Sequence, residues 1–135
     1  MQSNVEIIRS GFAAFETADM DAFTAHWAPD VVWDVSGYRN WPGEEHVYRG
    51  EAEILGAFGR FLSGAVVQRI DIHEISEVGD DRVIALYTES RRAAGSDAVQ
   101  DLPIGIVYTL RDGQVARMEV HSDHDAARLS ASSGP

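Results

Sequence analysis

The sequence predicts an α+β domain: N-terminal helices packed on a strongly curved, mainly antiparallel sheet, forming a cone-shaped barrel. Three observations predict it. Helical periodicity is concentrated in the first half of the chain, with one short segment at the end. Four β-rich runs follow one another between Val66 and Val120, separated by turn residues. The order helix, helix, strand, helix and then meandering strands is that of an α+β domain. A long sheet of this kind twists and curls, so the helices can cover its concave face.

The last hairpin anchors the reading. Asp112-Gly113 lies between the apolar runs Leu102–Leu110 and Val115–Val120. Asp-Gly between two such runs is a strong hairpin signal, because the turn needs positive φ and glycine supplies it without strain. At the other end of the chain, Ser3 and Glu6 have capping-box spacing, so a helix should start near Asn4. Val5, Ile8, Phe12 and Phe15 fall on one face of it. Thr17-Ala18-Asp19 breaks this helix, and Asp19 can cap a short second one with Met20, Phe23 and Trp27 on its apolar face. Pro29 is expected to end it.

Val31–Val35 reads as a strand. The segment from Ser36 to Val47 reads as a long loop with Gly37, Pro42 and Gly43 among Tyr38, Trp41 and His46. Such a loop in a small domain serves as a lid or as an edge cover. Tyr48-Arg49-Gly50 leads into a third helix near Glu51–Leu62, with Ile54, Leu55, Phe58 and Leu62 as its buried stripe. The β-runs are Val66–Ser76, Arg82–Arg92 and the two arms of the last hairpin. Asp123 is placed to cap a final helix through Leu129. Residues 1–129 thus form one domain, and residues 130–135 a frayed tail.

Composition narrows the function. The chain has 135 residues, enough for one domain with a single core. A formal net charge of -11 argues against nucleic-acid and anionic-membrane surfaces, which need basic patches. With no cysteine, disulfides, thiolate metal sites and cysteine nucleophiles are excluded. No apolar run is long enough to span a bilayer and no stretch reads as a signal peptide, so a cytoplasmic location is expected.

Strand alternation predicts which side chains share the concave face. These are Val31, Trp33 and Val35 on the first strand, and Val83, Ala85, Tyr87, Glu89 and Arg91 on the middle one. The last two strands add Ile104, Ile106 and Tyr108, then Ala116, Met118 and Val120. The cavity would be apolar and aromatic, with Tyr87, Tyr108 and Glu89 as its polar points. A carboxyl in such surroundings suits a general acid or base near neutral pH. It could equally pair with Arg91 or Arg92 at the rim and be structural. His121-Ser122-Asp123-His124 is the densest cluster of metal-ligating types, but Asp123 is wanted as a cap and His121 faces away from the cone. No metal is expected.

Several stretches carry a family resemblance. They are Phe12-Ala13-Ala14-Phe15 with Asp19-Met20-Asp21-Ala22-Phe23, Ala28-Pro29-Asp30-Val31-Val32-Trp33, Tyr48-Arg49-Gly50, Gly79-Asp80-Asp81-Arg82-Val83, and Val107-Tyr108-Thr109-Leu110-Arg111-Asp112-Gly113. Over nearly its whole length the chain resembles a SnoaL-like member of the nuclear transport factor two-like superfamily. That resemblance implies the cone fold and a homodimer paired through the sheet. It leaves function open, because the superfamily holds isomerases, dehydratases, epoxide hydrolases, polyketide cyclases and binding proteins without chemistry.

The known chemistries can be carried over residue by residue. The steroid-isomerase pattern falls on Gly11, Val35 and Ile106 for its tyrosine, base and neutral acid, and none has the side chain required. Asp34 neighbours the base position, but alternation turns it to the other face. The cyclase acid–base pair falls on Ile106 and Val120, which cannot move a proton. The epoxide-hydrolase pattern falls on Glu89, Tyr87 and Val120, with Trp33 and Val35 at the water-holding pair, so one carboxylate survives.

The expected function is cofactor-free acid/base chemistry of isomerase, hydrolase or cyclase type on a small, hydrophobic, oxygenated molecule. Glu89 is the expected proton-transfer group, with Tyr87 beside it as a catalytic donor. Tyr108 donates to the same substrate oxygen, and Trp33, Trp41, Tyr48, Ile106, Met118 and Val120 shape the pocket. Two alternatives stand beside it. One is a small-molecule-binding protein without chemistry. The other is a dimeric interaction domain, which predicts a filled interior and a large exposed apolar patch.

Overall fold

A computed structural model describes residues 3–39, 41, 45–93 and 95–132. Helix α1 (Asn4–Glu16) begins as the sequence predicts. The Ser3 hydroxyl accepts from the Glu6 N–H at 3.1 Å, and the Glu6 carboxylate accepts from the Ser3 N–H at 3.1 Å. Ala18, at φ 56°, makes the turn into α2 (Met20–Thr24), which Asp19 caps through the Ala22 N–H. Helix α2 is shorter than expected. Trp27 and Pro29 belong instead to strand β1 (Trp27–Gly37). Pro29 is tolerated there because the pairing register breaks between Trp27 and Val32, where no ladder N–H is needed.

A short strand β2 (Val47–Arg49) pairs antiparallel with β1 and was read as a lead-in to the next helix. Pro42 and Gly43 of the predicted loop lie outside the described residues. Helix α3 (Glu51–Ser63) buries Ile54 and Ala57, with Leu55, Phe58 and Leu62 half-buried beside them. Strands β3 (Ala65–Val78), β4 (Arg82–Ala93), β5 (Val99–Arg111) and β6 (Gln114–His121) complete one six-stranded sheet in the order β2-β1-β6-β5-β4-β3. Only the β1–β6 contact is parallel. The hairpin turn has Asp112 at φ 54° and Gly113 at φ 77°, the two positive angles its sequence promised.

Helices α1 to α3 lie against the concave face, over a core that includes Ile7, Ile8, Val31, Val35, Ile54 and Val83. Helix α4 (His124–Ser132) packs on the opposite face, where Ala127 and Ala131 meet Ile84, Leu86 and Val107. Asp123 caps it, its carboxylate accepting from the Asp125 N–H at 2.7 Å. The helix therefore runs beyond Leu129, and residues 130–132 are not a frayed tail. Residues 133–135 lie outside the description. The reason is packing of small side chains: Ala131 is 4% exposed while Leu129 is 71% exposed.

The close approach of α4 depends on Gly105. A Cβ at that position would stand 2.5 Å from the Ala127 Cβ and 3.1 Å from Leu86 Cδ2. Gly105→Ala should therefore cost about 1–3 kcal/mol through overpacking, read as a lower urea midpoint. Adding Ala127→Gly should recover part of that loss. An unchanged midpoint for Gly105→Ala would show that α4 does not seat here.

Candidate functional site

The cone encloses a cavity of about 150 Å³ between its concave face and the helices. Alternation along β4 and β5 delivers Tyr87, Glu89, Arg91, Ile104, Ile106 and Tyr108 to its wall. Strand β6 adds Met118 and Val120, and β1 adds Trp33 and Val35. Ala116 does not reach the wall. The register slips between Thr109 and Leu110, so Thr109 faces Arg117 and Leu110 faces Val115. Ala116 is the extra residue of a bulge, and Val115 takes the inward position.

The wall is apolar over most of its area, and its polar side chains are Ser10, His26, Tyr38, Tyr87, Glu89, Arg91 and Tyr108. The Glu89 side chain is 8% exposed and accepts from Arg91 Nε at 2.7 Å and from Arg91 Nη2. Arg91 Nη1 donates to the Tyr38 hydroxyl at 2.9 Å, and its guanidinium lies 4.5 Å from the Phe61 ring centroid. Burial works against the Arg91 cation, but the adjacent Glu89 carboxylate outweighs it, so the guanidinium is held more firmly protonated than in water. The carboxylate is thus neutralised within the wall itself. Among the described residues, the hydrogen bonds to Glu89 all fall on Oε2.

Tyr87 and Tyr108 are 7% and 9% exposed. Among the described residues neither hydroxyl has a hydrogen-bond partner, and both side chains line the cavity. Burial first, then neighbouring Tyr108 and Glu89, pushes the Tyr87 phenol well above 10.0. Burial likewise raises Tyr108. Both are therefore fixed as neutral donors. The ring of Phe12, on α1, meets Tyr87 edge-on at 5.2 Å.

Trp41 lines the cavity and stacks on Phe61 at 5.4 Å, while its indole N–H donates to the Tyr48 hydroxyl at 3.0 Å. Tyr48 does not line the cavity. It is buried behind Trp33 and Trp41, and its hydroxyl donates to the Glu45 carbonyl. Sequence reasoning gave no role to Tyr38, although it ties the segment after β1 to the ion pair. Tyr38 and Arg91 are 53 positions apart, and no local pattern links them. Phe12, legible as a core position on the α1 stripe, lines the cavity as well.

Asp34 and His121 lie off the cavity wall. Asp34 accepts from the Ser36 N–H at 2.9 Å, the Ser36 hydroxyl at 2.5 Å and Arg117 Nη2 at 2.5 Å, all outside the cone. Burial raises its pKa, but the Ser36 bonds and Arg117 together hold the carboxyl below its ordinary value. His121 pairs with Glu119 at 3.2 Å, and the Ser130 hydroxyl donates to the same oxygen at 2.9 Å. His124 Nε2 donates to the Tyr87 carbonyl at 2.9 Å. The histidine-rich cluster is thus divided between a hydrogen bond to Glu119, a helix cap and a backbone contact.

Residues 8–118 match the family model described as the SnoaL-like domain. The chain belongs to this family. It is 28% identical over 123 residues to the uncharacterized protein Rv0034 of Mycobacterium tuberculosis, covering 90% of each chain. Among solved structures it is similar to TerC co-crystallised with polyporic acid, at 25% identity and a TM-score of 0.78, covering 96% of this chain and 98% of that one. A nuclear transport factor two-like protein of unknown function from Burkholderia pseudomallei gives a TM-score of 0.79 at 23% identity, covering 99% and 100%. This last likeness speaks for the fold. The SnoaL-like cone, its mixed sheet and its covering helices agree with the architecture read from the sequence.

Raised phenol values stabilise the fold fully below pH 10.0, and that contribution is lost as pH rises through the folded-state values. In an ultraviolet alkaline titration, Tyr87 and Tyr108 should ionise only as the chain unfolds. All four tyrosines titrating near 10.0 in a folded protein would contradict this burial.

Proposed function

We propose that this SnoaL-like protein binds a small, hydrophobic, oxygenated molecule in the cone, and that Glu89 moves a proton on it without a cofactor. The carrying observation is the pair of phenols. Two phenol hydroxyls with no partner among the described residues open onto an apolar cavity beside a carboxylate. Each hydroxyl is accessible from the cavity and free to donate there, so a ligand oxygen can accept from it. Tyr87 and Tyr108 hold that oxygen and stabilise charge developing on it. Glu89, with Oε1 turned to no protein donor among the described residues, takes or returns the proton. Trp33, Trp41, Ile106, Met118 and Val120 shape the apolar part, and Tyr48 supports Trp41 from behind. Because Glu89 and Arg91 cancel in charge, the site favours a neutral ligand.

Binding without chemistry is the second reading. It is favoured by the two Arg91 donors on Glu89 Oε2 and by apolar Ile106 and Val120. The interaction-domain reading has less support, since it predicts a filled interior and the interior holds a cavity.

Proton exchange at a ketone separates the first two readings. Wild-type protein should bind acetophenone saturably, read by tryptophan fluorescence. It should also exchange the acetophenone methyl protons for deuterium. Glu89→Gln should keep binding and lose exchange by about 100-fold or more. Tyr87→Phe with Tyr108→Phe should weaken binding by about tenfold. Binding with no exchange in wild type leaves the second reading, and no saturable binding sinks both.

We also propose a homodimer paired through the outer sheet face, where Asp34–Arg117 and Glu119–His121 are partly buried. Sedimentation equilibrium should give twice the chain mass of 14.8 kDa, and a monomer at micromolar concentration would overturn it.

A further inference from the structure

A second void adjoins the cavity. It is an open apolar groove of about 540 Å³ between the α1–α2 turn, α3 and the edge strand β3. Phe15, Phe58 and Ile70 line both voids, so they are separated by the thickness of one side chain. The Phe58 ring is one part of that partition, its centroid 5.7 Å from that of Phe15 and 5.9 Å from that of Trp33. Met20, Leu62 and Val67 extend the groove outward to a polar rim at Glu16, Gln68 and Arg69.

Gly59 is the independent observation. It lies inside α3 and lines the groove, and a Cβ built there meets nothing within 4 Å. Glycine within a helix is destabilising relative to alanine, and no packing requirement explains it here. Its effect is to leave the groove clear. The cavity alone is of the size that accepts a single aromatic ring.

We infer that the groove takes the hydrocarbon tail of the ligand whose oxygenated ring occupies the cavity. The inference rests on the ligand-binding reading above and extends it to a class: a neutral aryl ketone or related ring carrying an alkyl chain. The tail passes the partition by a turn of the Phe58 side chain and ends at the polar rim.

The test is calorimetry with acetophenone and its 4-methyl, 4-butyl and 4-octyl derivatives. In wild type, affinity should rise by up to about fourfold for each methylene fully buried, and less for one left against solvent. Gly59→Leu fills the groove without touching the cavity wall and improves helix propensity, so its thermal midpoint should not fall. It should bind acetophenone as wild type does and lose the dependence on tail length. Leu62→Glu, also outside the cavity wall, should flatten the series in the same way. A series flat in wild type, or equally steep in both variants, overturns the groove and leaves the cavity reading intact. Failure of acetophenone itself to bind defeats the cavity reading, and the groove with it.

Discussion

The parallel pairing of β1 with β6 is the constraint on which the rest depends. It joins a strand near the start of the chain to the last strand, and it is the one contact in the sheet that a hairpin cannot make. Its register sets Trp33 beside Met118 and Asp34 beside Glu119. Because side chains alternate, that single choice sends Trp33 and Met118 into the cone and sends Asp34 out to Arg117. A shift by one residue would exchange the two faces and place a carboxylate in the cavity. On the outside, the Asp34–Arg117 bond ties β1 to β6 in the same register.

The electrostatics of the site follow from β4. Glu89 and Arg91 are two residues apart, so both face inward, and the strand supplies the carboxylate together with its counter-ion. Isolating either charge there would carry a large desolvation cost, whereas the pair is tolerable because Tyr38 and the Phe61 ring complete the shell around the guanidinium. The result is a polar end without net charge, flanked by two phenols that remain protonated. This differs from the paired acid and base of the cyclase pattern, whose positions are the apolar Ile106 and Val120. It also differs from the isomerase pattern, whose base position is Val35. The chain keeps the family's scaffold, and Tyr87, Glu89, Arg91 and Tyr108 reach the cavity from β4 and β5.

Much of this was legible in the sequence, for local reasons. The capping box at Ser3 and Glu6 and the turn at Asp112-Gly113 are short-range signals and act as expected. Alternation along β4 and β5 is regular, so the inward positions of Tyr87, Glu89, Ile104, Ile106 and Tyr108 could be read directly. What was not legible involved bulges and partners distant in the chain. The Ala116 bulge swaps Val115 for Ala116 at the wall, and no local residue preference announces it. Pro29 signalled a helix end, but tertiary pairing of Trp27 with Val115 recruited that stretch into β1. The extension of α4 rests on Ala127 and Ala131, whose small side chains give a weak periodic signal yet let the helix sit close over Gly105. The Tyr38–Arg91 bond spans 53 positions and depends on the whole sheet closing.

The central claim is that the phenol pair receives a ligand oxygen inside the cone. The most direct measurement is a crystal structure with 4-bromoacetophenone, using the anomalous signal of bromine to place the molecule without ambiguity. The account predicts the ring inside the cavity near Phe12 and Trp33, with the ketone oxygen within hydrogen-bond distance of the Tyr87 or Tyr108 hydroxyl. A bromine peak only on the outer surface, or a ketone directed at Ile106 and Val120 away from both phenols, would contradict it.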